Sequence, residues 1–89
     1  MFNTTYKGLR LIPSKSAAEE LLEHGLTIED CKNILQNGYE PRKRGKNTVE
    51  KWMDSKNKTY NVVIVKSYNY SNKEEVYLIT HVGRFTKRT

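Results

Sequence analysis

Apolar positions recur along this chain with two different periods, and the switch between them divides the molecule. Residues 1–12 alternate loosely, with Phe2, Tyr6, Leu9, Leu11 and Ile12 as the apolar members, which fits a short edge strand or an extended arm. Pro13 ends that stretch and biases Ile12 to an extended conformation. Ser16 then reads as a helix N-cap with Glu19 in the answering position, and Ala18, Leu21 and Leu22 follow at helical spacing. Gly25 supplies a left-handed exit. Thr27 and Asp30 repeat the capping pattern for a second helix, whose apolar stripe is Ile28, Cys31, Ile34 and Leu35 and which stops at Asn37-Gly38. Only Gly25 and Leu26 separate the two, so they form a tight corner or hairpin.

From Lys46 the period becomes that of strands. Thr48–Met53 predicts one strand, holding Val49, Trp52 and Met53. A turn follows at residues 54–58, with Asn57 suited to the left-handed conformation. Thr59–Tyr70 contains the unbroken run Val62-Val63-Ile64-Val65, the pattern of a central strand covered on both faces. A second turn at residues 71–74 leads to Val76–Val82, where Val76, Leu78, Thr80 and Val82 share one face and Tyr77, Ile79 and His81 the other. Gly83-Arg84-Phe85 is expected to leave the sheet, and residues 86–89 form a basic tail. The prediction is a single α+β domain over residues 1–89: two N-terminal helices packed on one face of an antiparallel sheet of three to four strands.

Charge sharpens that division. Residues 1–40 hold four Lys or Arg against six acids, whereas residues 41–89 hold twelve against four, so the net charge of +6 comes from the β half. A polyanionic partner for the sheet is the electrostatic inference; a basic protein with solvated lysines is the competing one. With an apolar content of 36 %, a chain this short buries a modest core. Six tyrosines, two phenylalanines and one tryptophan argue against disorder. One cysteine, Cys31, precludes an intrachain disulfide and fits a reducing compartment. No stretch has the length of a membrane span and no signal-peptide pattern opens the chain, so a cytoplasmic protein without membrane association is expected.

No high-specificity catalytic motif is present: no Gly-rich phosphate loop, no Gly-x-Ser-x-Gly elbow and no His-Glu-x-x-His. His24 and His81 have no second ligand at metal-binding spacing, so no metal and no cofactor are expected. His24 closes a helix, where the helix dipole favours a cation; Cys31 reads as a core thiol and Trp52 as packing. The run Arg42, Lys43, Arg44, Lys46 is either a solvated loop or a track for a phosphate backbone. Tyr77, His81, Arg84, Lys87 and Arg88 lie close along the chain, and Lys66, Tyr68 and Tyr60 on the preceding strand can neighbour them. Cations for phosphate and rings for bases are the makings of an RNA site. Metal-independent RNA cleavage is also within reach of such a set. His81 would transfer the proton, Arg84 and Lys66 would hold phosphate, and Tyr77 would orient or stack. The competing reading of His81 is a half-exposed strand histidine.

The stretch Ser16–Gly38 resembles a family of small prokaryotic domains that read His-Ala-x-x-Arg-Met-x-x-Arg-Gly-Ile-Ser before an acidic capped helix and a basic meander. Glu23-His24-Gly25-Leu26-Thr27-Ile28-Glu29-Asp30 is also similar to the Lys-His-Gly-Val-Ser-Phe-Glu-Glu segment of BrnT toxins. Both groups look related to the RelE-like ribonuclease toxins, which cleave mRNA with Lys, Arg and Tyr on the sheet and tail. The resemblance implies a toxin–antitoxin endoribonuclease and an acidic antitoxin partner, and Lys66, Tyr77, Arg84 and Lys87 are side chains of the types it requires. The chain departs at Ser16 and Glu20, where the first family carries His and Arg. The functional expectation is therefore an RNA-binding protein or metal-independent endoribonuclease. The alternative is a non-catalytic nucleic-acid-binding or protein-interaction module, with a homodimer also open.

Overall fold

The computed structural model describes residues 4–86. In chain order the elements are β1 (Thr5–Tyr6), β2 (Leu9–Pro13), α1 (Lys15–His24), α2 (Ile28–Asn37), β3 (Thr48–Ser55), β4 (Lys58–Asn69) and β5 (Glu74–Thr86). The α+β class and the two helices agree with the sequence reading; the sheet differs. It has five strands in the order β1-β2-β5-β4-β3. It is mixed rather than antiparallel, because β2 lies parallel to β5, from Arg10 opposite Val76 to Pro13 opposite Ile79. A hairpin therefore precedes the helices, and its turn residues Lys7 and Gly8 both have positive φ (53° and 83°), as type I′ turns require. Short strands of two and five residues carry little periodicity, so the loose alternation of residues 1–12 concealed a turn.

Ser14, not Ser16, caps α1: its hydroxyl accepts from Ala17 N–H at 3.1 Å. Ser14 N–H is still tied to the Ile79 carbonyl at 2.9 Å, so the helix begins where β2 lets go of β5. The capping box of α2 is as expected, with Asp30 N–H on Thr27 Oγ1 at 3.1 Å and Thr27 N–H on Asp30 Oδ2 at 2.9 Å. Gly25 takes the left-handed conformation (φ 68°). Gly38 is required for close approach, since a Cβ there would lie 2.5 Å from both the Ile34 and Trp52 carbonyl oxygens. Beyond it Tyr39 bridges to Trp52 on the outer edge of β3. In the β3–β4 turn Lys56 (φ 54°), not Asn57, takes positive φ.

Both helices pack on one sheet face, around Leu11, Ala17, Leu21, Ile34, Ile64 and Ile79. Cys31 is a fully buried member of this core. The expected alternation of the last strand holds as far as Ile79 and breaks at Thr80. Between Val63 and Ile64 the β4–β5 register shifts, leaving Thr80 without a partner position. That bulge lets Ile79 and Val82, three residues apart, both enter the core. Tyr77 packs against the core as well, while Val76, Leu78 and His81 fall on the helix-free face. The strand also continues through Gly83, Arg84 and Phe85 to Thr86 instead of leaving the sheet.

Candidate nucleic-acid interface

Cross-strand neighbours project to the same face of a sheet. On the helix-free face this places Glu50, Val63 and His81 in one row and Trp52, Asn61 and Gly83 in the next, with Thr59 and Phe85 beyond. The basic loop after α2 is fastened to this face. Glu50 is only 3 % exposed, and its Oε1 receives Arg42 Nε at 3.2 Å and lies 3.6 Å from an Arg44 Nη. Trp52 Nε1 donates to Oε2 at 2.7 Å. Burial pushes the Glu50 carboxyl up, but the Trp52 and Arg42 hydrogen bonds and the two guanidinium charges outweigh it and hold the group below its ordinary range. Arg42 and Arg44 thus arch over the sheet, and Arg44 together with Lys43 and Lys46 lines a cleft of about 290 Å³ beside Glu40 and Thr48.

His81 is half exposed at the open edge of β5. Pairing with β2 ends at Ile79, and Glu20 of α1 occupies the vacated edge. One Glu20 oxygen accepts the Val82 N–H at 3.0 Å and the other lies 3.1 Å from His81 Nδ1. A carboxylate that accepts the Nδ1 proton orients the ring and leaves Nε2 as the nitrogen available for proton transfer. Next to it Gly83 has no side chain because Asn61 occupies that space: a Cβ would sit 2.1 Å from Asn61 Oδ1 and 3.1 Å from His81 Nε2. Asn61 is buried, and its Oδ1 has no hydrogen-bond partner among the described residues. Three rings continue along the same face. Tyr39 and Trp52 have centroids 6.4 Å apart, and Trp52 meets Phe85 edge-on at 5.3 Å. Tyr39 and Phe85 are 48 % and 43 % exposed, so the row has two open ends.

The fold does not gather all the sequence candidates. Lys66 is opposite Tyr77, and Arg84 opposite Tyr60, on the helix-bearing face. Tyr77 stacks obliquely on Tyr6 at 5.8 Å, and Lys66 lies 3.8 Å from Glu75. His81 is therefore separated by the sheet from Lys66, Tyr77 and Arg84: the bulge at Thr80 breaks its alternation with Tyr77 and the paired Lys66, while Arg84, three residues on, lies on the other face by ordinary alternation. Tyr68 sits with Tyr70 at the far end of β4, centroids 4.9 Å apart. Lys87 and Arg88 lie outside the described residues. What unites Arg42, Arg44 and His81 is the helix-free face, through residues the sequence reading set aside: Glu20 and Glu50, Trp52, Asn61 and Phe85. One signal was legible, an isolated glycine within a strand pattern, which marks a close approach.

No protein-family model, curated protein or solved structure matches the chain. Among the described residues no helix is long and apolar enough to cross a membrane.

Proposed function

We propose that this protein binds single-stranded RNA on the helix-free face of its sheet. The observation that carries the reading is the contiguous row Tyr39–Trp52–Phe85, with Arg42 and Arg44 arching beside it and His81 at its other flank. Rings of this kind stack on bases whatever their identity, and guanidinium groups meet the phosphates between them. Fluorescence anisotropy of a labelled oligoribonucleotide tests it. Binding should weaken steeply as salt rises, and Phe85→Ala, at an exposed position, should weaken it by about 5-fold to 160-fold, the range for one lost base stack of roughly 1–3 kcal/mol. Binding that ignores salt, or that Phe85→Ala leaves intact, would refute the reading.

Glu20 behind His81 favours a second reading, in which the bound strand is also cut. His81 Nε2 would take the proton of a 2′-hydroxyl and the 2′-oxygen would attack the adjacent phosphorus. The bond from phosphorus to the 5′-oxygen would break, leaving a 2′,3′-cyclic phosphate, and the departing oxygen would take a proton from water. Arg42 or Arg44 would meet the charge on phosphorus. Lys66, Tyr77 and Arg84 have no part in this chemistry. His81→Ala should abolish cleavage and spare binding. If wild-type protein binds RNA and gives no cyclic-phosphate product, the non-catalytic module stands. The toxin role with an acidic antitoxin belongs to the cleaving form; its test is growth arrest on expression, relieved in His81→Ala.

A further inference from the structure

The molecule has a second feature on its other side, independent of the RNA reading. Where α1 turns into α2, an apolar groove of about 470 Å³ opens, lined by Pro13, Ala18, Leu21, Leu22, Leu26 and Ile28. A hydrogen bond from Thr4 to Glu29 closes one end of its rim. Leu22 stands on that rim with 85 % of its surface exposed, the most exposed large apolar side chain described. Ala18 lies one helical turn before it and is part of the groove lining. A projecting leucine one turn from a small residue in a hollow is a pattern that complements itself under a two-fold rotation.

We propose that a second copy of this chain fills the groove, α1 packing antiparallel on α1 so that each Leu22 seats over the Ala18 of its partner. The charges on α1 support that orientation. Lys15, Glu19 and Glu23 follow one another at four-residue spacing on the exposed side of the helix. Antiparallel pairing about Glu19 sets each Lys15 against Glu23 of the other copy, two opposite-charge pairs, with one Glu19–Glu19 contact on the axis. A parallel pairing would align like charges along the whole row. The contact surface of a ten-residue helix is small, so the dimer is weak and reversible.

Sedimentation equilibrium from about 10 μM to 1 mM tests the proposal. The mass of the wild type should rise from 10.4 kDa toward twice that value across the range. Leu22→Glu, at an exposed position where folding is unaffected, should remain monomeric throughout. Lys15→Glu should weaken association at least tenfold, and the double exchange Lys15→Glu with Glu23→Lys should restore it. A wild type that is monomeric at 1 mM overturns the proposal, as does a Leu22→Glu variant that dimerises normally. Failure of the double exchange to restore association overturns the antiparallel arrangement and with it the proposal. Oligonucleotide binding is not read in this experiment, so its outcome is separate from that of the RNA assay.

Discussion

Removing the charge of Glu50 tests how the basic loop is held. In Glu50→Gln the side chain keeps its length and its buried position but can no longer accept from Trp52 Nε1, Arg42 and Arg44 together. The Trp52 hydrogen bond passes from a charged to a neutral acceptor, a loss of roughly 1 kcal/mol. Each arginine contact is worth less than about 1 kcal/mol, because the side chains of Arg42 and Arg44 are 66 % and 40 % exposed and rehydrate when released. The sum is a loss of roughly 1–3 kcal/mol. With a urea dependence of about 1 kcal/mol per molar for so small a protein, the midpoint should fall by roughly 1–3 M. Trp52 is the only tryptophan and touches the substituted carboxylate, so its fluorescence reports the transition directly. The folded carboxyl titrates below its unfolded value near 4.3, so its contribution is complete above that pH and fades as pH falls through the folded pKa. The gap between wild type and variant should be constant from pH 7 to about 5 and should shrink below pH 4. A loss under about 0.5 kcal/mol at pH 7, or a gap unchanged at pH 3, would refute the account of the loop. The same substitution frees two guanidinium groups, so RNA binding should tighten and its dependence on salt should steepen.

Other consequences can be measured on single variants. Gly83→Ala drives a methyl group into Asn61 Oδ1 and should cost about 1–3 kcal/mol in a denaturation curve; Asn61→Ala in the same chain should recover part of that loss. Burial, reinforced by the nearby Asp30 charge, pushes the Cys31 thiol up to about 12. Native protein at pH 8 should therefore resist Ellman's reagent over a period in which unfolded protein reacts fully. Thr27→Ala removes the cap of α2 and should cost about 1 kcal/mol by thermal melting.

Local signals account for what the sequence determined by itself. The capping box at Thr27, the left-handed exit at Gly25 and the stripes that end in buried Cys31, Ile34 and Leu35 each involve residues within a few positions of one another. The chemistry that makes a helix begin and end there is complete before any tertiary contact forms. The run Val62–Val65 predicted a strand covered on both faces for the same kind of reason; Val62, Val63 and Ile64 are buried and Val65 is half-buried.

Tertiary structure decided the rest. The parallel contact of β2 with β5 joins residues more than sixty positions apart, and nothing in either segment's own pattern distinguishes a parallel neighbour from an antiparallel one. The bulge at Thr80 exists only in the pairing of β4 with β5, yet it moved His81 to the face opposite Tyr77 and Lys66. Charge obeyed the same rule. In the linear sequence Arg42 and Arg44 are two members of a basic run, Glu20 is one of a Glu-Glu pair and Glu50 is an acid between cations. In the folded chain each acid serves a particular cation or imidazole, because burial and an open strand edge bring them within hydrogen-bonding distance. Composition determined that the β half would be cationic; only the sheet could determine which cations share a face, since one residue of register exchanges the two sides.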